Sequence, residues 1–420
     1  MVEISLREDG GSTETPIPVR RTPRRPVASW VGTNVSFHPV GIRGILFNAA
    51  SQNFFLVDRT SAFLWCRLAE GAPPETIVAE LASRSGAPTD AARLYLDRTL
   101  AGWLATGVLA NQLKIERHPL ANPAVGNMPR ALLRRRPRKP DARRYSCRVL
   151  DSTIDIRFAD SALEAAGLAL MGVHSTALTD QPDETIEVAR DGGGVTLRRA
   201  GRVMLAVPRG HSLAPAVLAA LIRIALERSA TFPALHAASM RTSEGGILFP
   251  GPSGCGKSTL AAALWAAGKD VAGDDTVVLD GASLRVRPVT PQLCVKSGSW
   301  RELEPRIPSL ASARIYRRPD GKRARYLALT PHVMDPAESS FSVRAIVFPS
   351  FGNEGKRARC YRLRPVQALW RLLPCIDSIG HRLTAADVDR LIRWVADTPC
   401  YALKYASTDA ALRSLEELVK

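Results

Sequence analysis

The sequence predicts an α/β protein with a mixed central sheet, preceded by a small α+β domain of winged-helix type. Three observations carry this. "GGILFPGPSGCGKSTLAAALWAAGKDVAGDD", from Gly245 to Asp275, reads as strand, glycine loop, helix and strand. Further short β-rich runs, separated by helical stretches, occupy residues 145–208 and 276–350. Residues 44–107 differ: two neighbouring β-rich runs are followed there by three helical segments.

A chain of 420 residues can hold two or three domains, and its 45% apolar content allows sizeable cores. The formal charge of +17 suggests an anionic partner, but much of it is local. "RALLRRRPRKPDARR", from Arg130 to Arg144, sets eight basic residues against Asp141 alone, and Arg20, Arg21, Arg24 and Arg25 add to the opening segment. A dense basic block with prolines reads as a solvated linker, with nucleic-acid contact as the alternative. Seven scattered cysteines form no C-x-x-C pair, which argues for a reducing compartment and against disulfides or zinc. The start "MVEISLREDGGSTETP" has no apolar core of a secretory signal. The longest apolar run, Leu213 to Leu226, is interrupted by Arg223 and is short for a bilayer span. A cytoplasmic location is the expectation.

In chain order, residues 1–34 are rich in Thr, Pro, Gly and Arg and are expected to form a mobile tail. A first domain is expected over 35–112. "GILFN" and "NFFLVD", joined by "AASQ", suggest a hairpin, and helices are expected near 60–70, 74–85 and 89–106, the last stopped by Gly107. A basic linker is expected over 113–144 and a larger domain over 145–420. In the latter, "CRVLDSTIDIRF" alternates like strands, "ADSALEAAGLALMG" reads as a helix, and "ETIEVARDGGGVTLRRAGRVMLAV" as three strands broken by glycine. An apolar helix at 212–229 precedes the glycine loop. "TVVLD", "LRVRPV", "VRAIVFPS" and "CYALKYA" are strands beyond it, and closing helices follow Thr384 and Thr408, with Thr384 and Asp387 placed for a capping box.

Gly251, Gly256, Lys257 and Ser258 satisfy G-x-x-x-x-G-K-[ST], in which backbone N–H groups close around phosphate and the lysine reaches its outer oxygens. The loop and first helical residues, Gly251, Pro252, Ser253, Gly254, Cys255, Gly256, Lys257, Ser258 and Thr259, are therefore the expected ATP-binding set. "KSTLAAALWAAG" follows as a helix whose N-terminus favours the anion. A strand, helix, strand unit of this kind forms parallel strands, so the acidic pair after the second strand, Asp274 and Asp275, should lie beside the loop. Ser258 with one carboxylate can hold Mg²⁺ while the other carboxylate accepts a proton. "GPSGCGKSTL" also occurs in ABC-type transport ATPases. Those carry an L-S-G-G-Q signature and place their carboxylates far downstream, and this chain has neither feature.

"LHAASMRTSEGGILFPGPSGCGKSTLAAALWAAGKDVAGDDTVVL" resembles the catalytic core of the HPr kinase/phosphorylase family, specifically over 235–280 and more loosely over 145–420. The resemblance implies a P-loop kinase domain of that type. His236 would match the active-site histidine, Lys257 the phosphate lysine, Ser258 a magnesium ligand, Asp274 the residue that takes the proton from a serine hydroxyl, and Asp275 a helper at the metal. The family's E-I-R-G-like stretch is absent: the corresponding region reads "VKSGSWRELEPRIPSL", and Glu302 and Glu304 do not match it. This puts a reverse phosphorylase activity in doubt. The basic run Arg314, Arg317, Arg318, Lys322, Arg323 and Arg325 is expected to be a solvated loop, the alternative being a site that steadies the transferred phosphoryl group or an acidic peptide.

"FFLVDRTSAFLWCRLAEGAPPETIVAELASRSGAPTDAARLYLDRTLAGWLATGVL" is similar to the PqqD family over 36–110. That similarity implies a module of ribosomal peptide biosynthesis that holds a precursor's leader as an added strand. Together the resemblances imply an ATP-dependent kinase acting on a Ser or Thr hydroxyl of a precursor peptide. The alternatives are a nucleotide-gated peptide scaffold without transfer to the peptide, and a DNA-binding winged helix.

Overall fold

The computed structural model describes residues 34–109, 143–229, 233–281, 283–329, 340–352, 358–377 and 379–419. The expected tail before residue 34, and the expected linker up to residue 142, lie outside the described residues. These residues fall into two compact units, the first made of 34–109 with 365–370 and 383–393, the second of the remainder. The architecture is α/β, with both antiparallel and mixed sheets.

In the first unit β1 (Val35–Val40), β2 (Arg43–Asn48) and β3 (Asn53–Val57) form an antiparallel sheet in that order. The expected hairpin is β2 and β3. The sequence reading missed β1, whose Pro39 weakens a strand signal; an edge strand tolerates proline because one side of it makes no ladder. Helices α1 (Arg59–Ala69), α2 (Pro74–Ser85) and α3 (Thr89–Ala105) follow close to their expected positions. Asp58 caps α1 by accepting from the Ser61 N–H at 2.8 Å, and α2 starts on Pro74 and stops at Gly86, whose φ is 70°. Leu46, Leu64, Ile77, Leu81 and Leu96 are buried, and Trp65 meets Trp103 edge to face at 5.7 Å. His38, also buried, hydrogen-bonds Asp389 Oδ1 through Nδ1 at 2.6 Å, and the Gln52 amide brackets Leu383 by donating to its carbonyl and accepting from its N–H.

The second unit opens with β4 (Arg143–Val149) and β5 (Ser152–Phe158), so the last two arginines of the basic block belong to a strand. Helix α4 (Ser161–Leu168) crosses over to β6 (Glu184–Asp191), parallel to β5, and β7 (Gly194–Arg199) and β8 (Arg202–Pro208) complete a five-stranded sheet. The apolar helix α5 (Leu213–Arg228) packs its buried Val217, Leu221 and Ile224 into the core beneath that sheet.

The remaining elements are β9 (Ala234–Leu235), β10 (Ala237–Thr242), β11 (Gly245–Pro250), α6 (Lys257–Ala266), β12 (Val271–Gly273), β13 (Val277–Leu279), β14 (Val286–Pro288) and β15 (Gln292–Lys296). After them come α7 (Trp300–Leu303), α8 (Pro308–Ser312), β16 (Tyr316–Arg317), β17 (Arg323–Ala328), β18 (Val343–Phe351) and β19 (Arg359–Arg362). The chain closes with α9 (Pro365–Leu372), β20 (Ile376–Asp377), α10 (Ala385–Asp397), β21 (Cys400–Tyr405) and α11 (Thr408–Val419). Thr384 and Asp387 form the expected reciprocal cap ahead of α10, with Thr384 N–H donating to Asp387 at 2.8 Å.

A six-stranded sheet, in the order β12, β10, β11, β18, β21, β19, carries the glycine loop on β11. The expected pairing of β11 with the acid-bearing strand needs correction. β10 lies between them and is antiparallel to both, so β11 and β12 share a direction without sharing hydrogen bonds. A tight hairpin from β10 into β11 claims the adjacent edge first. The basic run of 314–325 is solvated at Arg314, Arg317, Lys322 and Arg323 as expected, but it is a hairpin of β16 and β17 rather than a loop, and the buried Arg325 guanidinium stacks 4.1 Å over Trp300. Among the described residues, no helix is long and apolar enough to cross a membrane.

Gly246 lets β11 pass close to its neighbours, since a Cβ there would stand 2.1 Å from Phe341 Cε2 and 2.9 Å from the Met240 carbonyl oxygen. Gly246→Ala should lower stability by about 1–3 kcal/mol through overpacking, seen as a reduced urea midpoint with unchanged slope. A wild-type midpoint would contradict this packing.

Candidate functional site

The glycine loop turns from Pro250 at the end of β11 into Lys257, the first residue of α6. Gly256 has a φ of 101°, and a Cβ there would lie 2.5 Å from the Tyr405 hydroxyl oxygen. Glycine is required on both counts. Neighbouring elements tie the loop in place: Gly251 N–H donates to the His236 carbonyl at 3.3 Å, Phe351 N–H to the Cys255 carbonyl at 3.0 Å, and the Tyr405 hydroxyl to the Gly256 carbonyl at 3.3 Å. Lys257 is buried, and its Nζ donates to the Gly251 and Pro252 carbonyls at 2.6 and 3.0 Å. The ammonium is thus held across the loop, next to the N-terminus of α6, whose free N–H groups favour an anion.

The acidic pair follows β12. Asp274 is 1% exposed: its Oδ1 accepts from Ser258 Oγ at 3.1 Å and its Oδ2 from the Cys294 N–H of β15 at 3.3 Å. Burial and then the neighbouring Asp275 charge push its carboxyl up to about 6, against the pull of those two hydrogen bonds and of Lys257. Asp275 has a φ of 76°, a left-handed conformation that Asp tolerates better than most residues but that still strains the backbone. This turn presents its carbonyl to His236 Nδ1 at 2.8 Å and its carboxylate to the same nitrogen at 3.4 Å. Because Nδ1 donates to a carbonyl, the neutral ring leaves Nε2 free to accept a proton. Burial lowers the His236 pKa, Lys257 and Lys296 lower it further, and Asp275 opposes them.

The structure therefore brings together His236, Lys257, Ser258, Asp274 and Asp275, with Pro252, Ser253, Gly254 and Cys255 in the loop beside them. Thr259 turns elsewhere, its hydroxyl sharing a hydrogen bond with Ser299 at 2.6 Å. Glu304 pairs with Arg325 at 2.5 Å and Glu302 stands 3.8 Å from Arg306, so both glutamates are engaged in ion pairs. The sequence reading missed Cys294, Phe351 and Tyr405, which reach the acids and the loop from β15, β18 and β21, and Lys296 of β15, whose charge acts on His236. No short motif marks them; only sheet register brings them in.

Hard oxygen donors, the Ser258 hydroxyl and two carboxylates, suit Mg²⁺, and the loop with Lys257 suits a triphosphate. Among the described residues no group of three His, Cys, Asp or Glu could hold a metal by itself.

No family model matches the chain, and no curated protein matches it. Part of the chain is similar to a solved structure described as TbiB1 in complex with the TbiA(beta) leader peptide, at 19% identity, covering 19% of this chain and 92% of that one with a TM-score of 0.19. A likeness of that size fixes neither fold nor function here.

The Asp274 shift has a defined sign. A carboxyl raised in the folded state stabilises fully below its ordinary range, near pH 4, and that contribution is lost as pH rises through about 6. Asp274→Asn removes the titration. Its stability relative to wild type should therefore rise by roughly 2–3 kcal/mol between about pH 4 and pH 7, measured by urea unfolding at each pH. A flat difference would show that Asp274 titrates normally.

Proposed function

We propose that this chain is an ATP-dependent kinase that phosphorylates a Ser or Thr hydroxyl of a ribosomally made precursor peptide. The observation that carries the reading is the contact of Ser258, in the first turn after the glycine loop, with a buried carboxylate of the strand that follows. It sets a phosphate-binding helix and an acid pair against one another, which phosphoryl transfer requires. The motif resemblance to the HPr kinase/phosphorylase family supports the same assignment.

Each residue then has a task. The loop N–H groups and Lys257 neutralise the phosphates. Ser258 and Asp275 hold the cation, and bound Mg²⁺ would supply charge neutralisation on the phosphate oxygens. Asp274, with a carboxyl near 6, is mostly ionised at neutral pH; once Ser258 turns from it to the cation, Oδ1 is released to take the acceptor's proton as the hydroxyl oxygen bonds the γ-phosphorus and ADP leaves. His236 braces Asp275 through its backbone carbonyl.

The peptide is assigned to the first unit. Among the described residues β3 pairs only with β2, which leaves one edge for an added strand. Tethering a leader there raises the local concentration of its acceptor, so a generic site can act on one chosen peptide. One observation favours the nucleotide-gated scaffold as second reading: both glutamates near the missing signature are engaged in ion pairs.

Incubation of the protein with Mg·ATP and a precursor peptide encoded beside it should add one phosphate to the peptide by mass spectrometry. Asp274→Asn should slow this by about 10²–10⁴-fold while ATP binding persists. ATP uptake with unchanged peptide mass would favour the scaffold.

A further inference from the structure

The site is asymmetric across the sheet. Acids stand on the β12 side of the loop, while aromatic residues stand on the β18 and β21 side. β18 runs parallel to β11 and β21 parallel to β18, so all three end on the same rim, where ligands of open α/β sheets bind. A triphosphate whose reacting end faces Asp274 and Asp275 directs its nucleoside toward the opposite side. Phe351 is the last residue of β18 on that rim and is 53% exposed.

Its surroundings set it apart from an ordinary surface aromatic. The Phe351 N–H is hydrogen-bonded to the loop at Cys255, and its Cβ would stand 3.1 Å from a Cβ placed on Gly256. Tyr405, 2% exposed, supports the ring edge to face at 5.6 Å and itself bonds the loop at Gly256. The ring is thus fixed to the phosphate cradle and backed on one side, with half of its surface left to solvent. We infer that Phe351 is the platform on which the base of the bound nucleotide stacks, an assignment that rests on the phosphate-loop reading. Stacking offers a π-face and reads no hydrogen-bonding edge. Stacking on this ring therefore gives adenine and guanine similar affinity.

The test is calorimetric binding of Mg·ATP, Mg·GTP and inorganic tripolyphosphate to the full chain. Wild type should bind ATP and GTP within a few-fold of each other. Phe351→Ala should weaken both by about tenfold and leave tripolyphosphate unchanged, whereas Phe351→Tyr should keep nucleotide affinity. Unchanged ATP affinity in Phe351→Ala would overturn the platform, as would an equal loss for tripolyphosphate, which would show a disturbed loop. A wild-type protein that binds tripolyphosphate but no better with a nucleoside attached also overturns it. Binding of neither ligand would remove the phosphate site itself, and the platform with it.

Discussion

The hydrogen bond between Ser258 and Asp274 is the contact on which the site depends. It joins the first turn of α6 to the end of β12, and the other oxygen of the same carboxylate is held by the backbone of β15. A carboxylate this deeply buried is tolerated only with such partners, because an unpartnered charge in the interior is costly. The elevated Asp274 carboxyl follows from the same compromise: burial raises it and the two donors limit the rise. Geometry and basicity therefore have one origin.

Around that contact the chain stores modest strain where it is useful. Asp275 takes a strained left-handed backbone conformation in which its carbonyl meets His236, whereas Gly256 reaches a positive φ without strain and leaves room for Tyr405 to close over the loop. The surrounding core is conventional, with apolar residues of α6 and α11, such as Leu260, Leu264 and Leu415, buried together beside the central sheet. Rigid packing behind a polar rim is what holds Lys257 and the acids in register.

Local signals were legible in the sequence and long-range ones were not. The glycine loop, the three helices of the first unit and the Thr384 cap depend on residues within a few positions of each other, and the structure forms them as expected; the acidic pair reaches the loop as expected, though not through the strand pairing that predicted it. The interposition of β10 was invisible, because strand direction follows from the crossover helix while adjacency is decided by the competing hairpin. The basic run misled for a related reason: Arg318 and Arg325 look like solvated charges until Cys294 and Trp300, distant in sequence, are brought beside them. Phe351 gave no motif at all, since its significance lies in which strand ends next to β11.

The central claim is that the loop lysine and the acid pair act on one bound triphosphate. A double-mutant cycle of Mg·ATP affinity with Lys257→Met and Asp275→Asn, the carboxylate assigned to the cation, tests it most directly. Convergence on one ligand predicts a coupling of at least about 1 kcal/mol between the two changes. Losses that add to within about 0.3–0.5 kcal/mol would place the two residues in separate sites and contradict the account.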